Sequence, residues 1–191
     1  MSTSAEEILR RHRLNVDEYY RMAEAGILGP DARVELIEGE IIDMAPIGSR
    51  HAAVVRQLAH ILHQNVGDQA IVSTQNPVRL DEYSEPEPDL ALLRPRDDFY
   101  AAAHPGPGDV LLIIEVADTS LRYDREIKIP LYARHGIPEV WLVDLENERL
   151  LRFLEPGPDG YRTEEDVTAI APIPPARLPE IEVDLSTLFR Q

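Results

Sequence analysis

The chain contains no cysteine and only one lysine among its 191 residues. The first absence excludes disulfides, thiolate metal sites and a cysteine nucleophile, so metal chemistry here must rest on oxygen or imidazole ligands. No run of about 18 apolar residues occurs, so no membrane span is expected. The stretch MSTSAEEILRRHRLN lacks an apolar h-region and a small-residue cleavage site; no secretory signal is legible, and a cytoplasmic protein is expected. Cations are scarce: 19 lysines and arginines stand against 35 aspartates and glutamates, a formal net charge of −16. That balance opposes coating of nucleic acid by general attraction, although a local site can be basic or metal-neutralised inside an acidic protein. Every cation except Lys128 is an arginine. A bias of the source organism accounts for the arginines. The single lysine is either a chance survivor or a group doing what arginine cannot, since lysine can shift its pKa and act as a point charge or proton donor.

What is present suits one domain over 1–191, long enough to bury roughly 70% of its unfolded surface, with a core over about 16–155 and a proline-rich tail over about 170–191. VDEYYRMAEAG predicts a short helix over 16–25, stopped by Gly26. VELIEGEIIDM predicts two strands around a Glu38-Gly39 turn, with Glu35 among hydrophobes. Apolar spacing predicts a helix over 50–66, with Val54, Leu58, Ile61 and Leu62 on one stripe. AIVSTQNPVRL reads as a strand interrupted by Pro77, and PDLALL as a short buried strand. VLLIIEV is apolar at both parities, the mark of a central strand covered on both faces. A helix kinked at Pro130 and ending at Gly136 follows, then a buried strand in PEVWLVDL and a further strand in RLLRFL after a Glu146-Asn147 turn. The tail is expected to wrap the surface before a last turn near 185–189. This order of elements predicts an α/β (α+β) sandwich around a mixed sheet.

Two acids stand at the ends of the two most buried strands, Asp89 before LALL and Glu115 late in VLLIIEV. A buried carboxylate is costly unless paired, hydrogen-bonded or bound to a cation. Mg²⁺ takes oxygen ligands, typically one or two carboxylates with waters and substrate phosphate oxygens, so Asp89 and Glu115 meet its needs. Lys128 could then orient or help deprotonate an attacking water and offset charge developing on a phosphate. The plainer alternative is that strand-end acids cap a helix or pair with arginine.

The segments VELIEGEI, GSRH, TQNPVRL, EPEPDLALL and IIEVADTSLRYDREIKIPLYARHGIPEVWLVD, in that order, resemble the Uma (Uma-two) family of restriction endonucleases within the PD-(D/E)XK nuclease superfamily. The resemblance implies a restriction-endonuclease-like core, a mixed sheet flanked by helices. Asp89 would be the aspartate after Pro88 and Glu115 the second acid, both metal ligands. It implies Mg²⁺ as cofactor, with Mn²⁺ as a substitute, and hydrolysis of DNA. In the superfamily pattern a lysine lies two residues after the second acid, where this chain has Ala117. The family's displaced lysine matches Lys128 on the following helix. Glu35 fits the family's EL-x-x-GE pattern, His51 follows GSR at a helix start, and Gln75 lies in TQNP; each is a further catalytic candidate with an ordinary structural role as its alternative. His60 and His63 are three apart on a helix, where solvated positions are the simpler reading. Asp118, Thr119 and Asp124 are expected to serve the start of the kinked helix, and Arg122 and Arg125 to contact phosphate or pair with Glu126. A homodimer or larger assembly is implied as well. Two other functions stay open: a nuclease-like scaffold that no longer cuts, and a metal-dependent hydrolase of small phosphate esters.

Overall fold

The computed structural model describes residues 11–167 and 172–189. Helix α1 (Val16–Glu24) opens on a reciprocal cap, in which Asn15 Oδ1 accepts from the Glu18 amide at 2.8 Å and Glu18 Oε2 accepts from the Asn15 amide at 3.0 Å. Strands β1 (Val34–Ile37) and β2 (Glu40–Asp43) form a separate antiparallel hairpin. Gly39 makes its turn at φ +83°, where a Cβ would fall 2.6 Å from the Arg13 Cβ, so no larger residue fits. A bridge between Leu36 and Glu85 ties the hairpin to the segment that leads into the main sheet.

That sheet has six strands in the order β3 (Ile71–Thr74), β4 (Leu90–Leu93), β5 (Val110–Ala117), β6 (Glu139–Asp144), β7 (Arg149–Gly157) and β8 (Gly160–Val167). Only β5 and β6 run parallel; every other neighbouring pair is antiparallel. The mixed sheet flanked by helices is the architecture that the resemblance implies. All eight residues of β5 are buried, as its apolar run predicts. On one face Leu112, Ile114 and Val116 pack with helix α2 (Ser49–Val66) through Val54, Val55, Leu58 and Leu62. On the other, Ile113 and Ala117 pack under a helical segment made of α3 (Leu121–Tyr123), a π turn (Asp124–Lys128) and α4 (Ile129–Arg134). Glu115 has the parity of Ile113 and Ala117, so it points to this second face.

Three features depart from the sequence reading. Strand β3 stops at Thr74, and Gln75, at φ +50°, turns the chain away before Pro77 is reached. Strand β8 was not anticipated. GYRTEEDV carries charges where a strand shows apolar alternation, because it is the outer edge of the sheet and none of its residues is buried. The tail does more than wrap the surface: Ile173, Leu178, Ile181, Val183, Leu185 and Leu188 are buried in the core beneath α2. Among the described residues no helix is long and apolar enough to cross a membrane.

Candidate active site

The register of β4 and β5 pairs Leu90 with Ile114 and Ala91 with Ile113, so one further step sets Asp89 against Glu115. Two carboxylates facing each other across adjacent strands repel, and the fold has to compensate them. The Val116 amide donates to Asp89 Oδ2 at 2.9 Å, and the Asp89 amide approaches Glu115 Oε2 at 3.4 Å, so each acid leans on the other strand's backbone. His51, on the first turn of α2, places Nε2 3.0 Å from Asp89 Oδ2, while Gln75 Nε2 reaches Asp89 Oδ1 at 3.3 Å. Burial alone would raise the pKa of Asp89, but the hydrogen bonds from His51 and Val116 hold it below the ordinary carboxylate range. The same bond to Asp89 raises the pKa of His51 against the opposing effect of burial.

Lys128 enters from the end of the π turn. Its Nζ lies 2.8 Å from Glu115 Oε1 and 3.5 Å from Glu35 Oε2, and it donates to the Glu87 carbonyl at 3.4 Å. Pro130 explains the turn. It has no amide to offer the carbonyl four residues back, and the Ile129 amide bonds instead to the Asp124 carbonyl, five residues back. Asp124 and Lys128 are both buried by this widening.

Tyr132 OH donates to Glu115 Oε1 at 2.6 Å, and Tyr123 OH donates to Glu35 Oε1 at 3.1 Å. Glu35 Oε2 also accepts from the Glu87 amide at 3.0 Å. One ammonium therefore sits among Glu115, Glu35 and Asp124. Lys128 is buried, which by itself would lower its pKa, but these carboxylates raise it well above the ordinary lysine range. Glu115 moves the other way for an acid: burial pushes its pKa up to about 8, with Asp124 and Asp89 adding to the effect and Lys128 opposing it. The pocket carries more carboxylate charge than its own cations offset.

These groups line a cavity of about 350 Å³, walled by Glu35, His51, Gln75, Asp89, Glu115 and Lys128 on one side and by the Met44–Gly48 segment on another. All six candidates thus converge. Asp118 and Thr119 line the cavity as well, whereas Asp124 accepts from Ser120 Oγ at 2.6 Å and faces inward instead of capping the helix. His60 and His63 are exposed. Arg122 pairs with Glu126, and Arg125 grips Glu164 through two bonds at 2.7 and 2.9 Å. Sequence reasoning missed Tyr123 and Tyr132. Each belongs to a helical segment whose neighbouring inward residues include the apolar Ile129, Leu131 and Ala133, and only the contacts distinguish a core tyrosine from one that holds a carboxylate.

The donor set suits Mg²⁺. Among the described residues no three His, Cys, Asp or Glu side chains form a ready cage for a metal, and Mg²⁺ needs none, since water and phosphate complete its shell. Glu115 Oε1 is engaged by Lys128 and Tyr132, and Asp89 Oδ2 by His51 and Val116. The lightly engaged oxygens, Glu115 Oε2 and Asp89 Oδ1, have partners only at 3.4 and 3.3 Å.

A family model named Uma2 and described as "Putative restriction endonuclease" matches residues 16–186. Among solved structures, the chain is similar to a "putative nuclease belonging to DUF820" from Anabaena variabilis, with a TM-score of 0.70 and 18% identity, covering 92% of this chain and 97% of that one. At that identity the likeness speaks to the fold. No curated protein matches the chain.

Proposed function

This chain belongs to the Uma2 family, and from that premise we propose that it is a Mg²⁺-dependent endonuclease hydrolysing DNA phosphodiester bonds, with Asp89, Glu115 and Lys128 as its catalytic residues. The observation that carries the proposal is the approach of Lys128 Nζ to within 2.8 Å of Glu115, beside Asp89, in one cavity. Asp89 and Glu115 would hold Mg²⁺, with Mn²⁺ as a substitute, and the ion when bound would supply a polarised water and offset phosphate charge.

The chain's own residues do the rest. Lys128, fixed by Glu115, Glu35 and the Glu87 carbonyl, presents a positive charge toward a phosphate that gains charge during attack. Its setting among carboxylates favours this electrostatic part over proton abstraction. His51 and Gln75 orient Asp89 through its two different oxygens, and Tyr132 holds Glu115. Glu35, anchored by Tyr123 and the Glu87 amide, keeps the ammonium in the cavity. Cutting both strands of a duplex calls for two such sites, so the active form in this reading is a homodimer.

Purified protein incubated with supercoiled plasmid and Mg²⁺ is expected to nick or linearise it, with the activity lost in Glu115→Ala and Lys128→Ala. Equal cleavage by all three would trace the activity to a contaminant and sink the proposal. A second reading, hydrolysis of small phosphate esters, is favoured by the net charge of −16 and the modest, acid-lined cavity. It predicts turnover of a model phosphodiester with no plasmid cleavage. A silent scaffold would neither cut nor take up Mg²⁺ in calorimetry.

A further inference from the structure

A second cavity, of about 310 Å³, lies between α1 and the hairpin, walled by Tyr19, Tyr20, Ala23, Gly29, Pro77 and Glu87. It adjoins the catalytic cavity, because Glu87 lines both. Its chemistry is one-sided. Two adjacent aromatic rings, Tyr19 and Tyr20, meet edge-to-face at 5.6 Å, His104 stacks on Tyr20 at 6.4 Å, and among the described residues no arginine or lysine lines the groove. Each tyrosine hydroxyl is already committed, Tyr19 to the Val34 carbonyl at 2.9 Å and Tyr20 to the buried Glu85 carboxylate at 2.6 Å, which fixes both rings as groove wall. Glu87 is half-buried, its backbone is spent on Glu35 and Lys128, and no group among the described residues donates a hydrogen bond to its carboxylate. An acceptor left this way on a cavity wall is an opening for a donor that arrives with a ligand.

We propose that this groove binds a nucleobase carrying an exocyclic amino group, flanked by the tyrosines and donating to Glu87, when the adjoining phosphate lies in the catalytic cavity. The assignment rests on the nuclease reading for the source of the base, but the chemistry of the groove selects the occupant by itself. A phosphate is disfavoured by the two carboxylates in the wall, Glu85 and Glu87, with no arginine or lysine among the described lining residues to offset them. A flat, neutral ring with N–H donors satisfies both the aromatic wall and the free acceptor. The volume accommodates one base with its sugar and no more. The bases with amino groups, cytosine, adenine and guanine, are therefore favoured over thymine, which presents carbonyl oxygens beside its single N–H.

The test uses the full chain, without metal, titrated with 2′-deoxycytidine and with thymidine while amide resonances are followed by NMR. The expected result is saturable shifts at Ala23, Gly26 and Gly29 with deoxycytidine, several-fold weaker binding of thymidine, and loss of both in Ala23→Phe, which fills the groove from the exposed side of α1. A Glu87→Gln variant, which offers an amide donor, is expected to narrow or reverse the preference. Absence of saturable shifts at these amides, or shifts that persist unchanged in a folded Ala23→Phe protein, overturns the assignment. Nucleosides carry no phosphodiester, so the outcome is independent of cleavage: nucleoside binding without plasmid cutting would keep the groove and remove the nuclease reading. With a short single-stranded oligonucleotide, Ala23→Phe is expected to weaken binding roughly tenfold or more, the worth of one stacked base.

Discussion

Replacing Lys128 by methionine removes an ammonium that lies 2.8 Å from Glu115 and 3.5 Å from Glu35, with all three side chains at most 5% exposed. Deleting one partner of a buried pair costs about 3–5 kcal/mol, because the remaining charge is left without compensation. Glu115 offers partial relief, since burial already pushes its pKa up to about 8 and without Lys128 it rises further. A raised pKa lets Glu115 hold a proton where the ammonium is missing, and the loss should sit near the lower limit, about 3 kcal/mol. Above pH 8 the wild type ionises Glu115 against its ammonium while the variant cannot, so the penalty grows as pH rises. In a chain of this size about 3 kcal/mol lowers the melting temperature by roughly 6–12 °C. Cleavage should fall about 10²–10³-fold, the usual worth of one preorganised donor at a developing charge. Lys128→Arg separates the two effects. It keeps the positive charge and should recover much of the stability, but a planar fork cannot reproduce a point contact in so closed a site, and cleavage should stay low. The measurements are thermal denaturation at pH 6 and pH 9 beside plasmid relaxation with Mg²⁺. A methionine variant that melts within about 1 °C of the wild type at both pH values, or that cuts at the wild-type rate, refutes the reasoning.

Tyr132→Phe removes the 2.6 Å bond to Glu115 Oε1 and should weaken Mg²⁺ binding about tenfold in calorimetry, with a stability loss of about 1–3 kcal/mol in urea. Glu139→Gln disturbs a buried acid that accepts from Trp141 Nε1 and from the Ala176 amide, each at 2.6 Å, and pairs with Arg152. It should cost about 3 kcal/mol and leave Mg²⁺ affinity unchanged, because Glu139 begins β6 at the end of the sheet remote from the cavity. Gly39→Ala forces a Cβ to 2.6 Å from the Arg13 Cβ at a positive φ and should destabilise by about 1–3 kcal/mol in the same assay.

The central strand and the two long helical regions were legible because each carries a period that burial imposes. Val110–Ala117 is apolar at both parities and is covered on both faces, and Val54, Leu58 and Leu62 recur on one side of α2. Strand β8 was hidden because an edge needs charge for protection more than apolar alternation, so GYRTEEDV looks like a loop. The tail misled for a related reason. Its prolines suggested a surface strap, while Ile173, Val183 and Leu188, too far apart to form a period, close the core. At the site, Asp89, Glu115 and Lys128 could be picked out because charged residues stood against apolar runs. Glu87 could not: it is one acid of several in SEPEPD, and its place between two cavities follows from the fold of the segment that crosses the hairpin.

The thirteen-residue gap between Glu115 and Lys128 has a physical reason. Residue 117 shares the face of Glu115 two positions on, about 7 Å along the strand. There Ala117 is 1% exposed and packed in the layer with Ile129, and its carbonyl accepts from the Leu145 amide at 2.9 Å. A lysine stem starting from that point would have to displace the helix that covers it. Approaching from above removes the conflict, because a side chain descending from the helix occupies space between the layers that a strand residue would have to cross. The π turn makes the descent possible: by carrying the Ile129 amide to Asp124, it turns Asp124 and Lys128 inward together, while Ile127 between them stays 43% exposed. Pro130, which from the sequence looks like damage to a helix, is thus the residue that makes this geometry stable. An ammonium delivered in this way is gripped by β5 through Glu115, by β1 through Glu35 and by the Glu87 carbonyl. Its position therefore depends on three separately placed elements, so variants that loosen the hairpin should disturb the cavity without touching any of its acids.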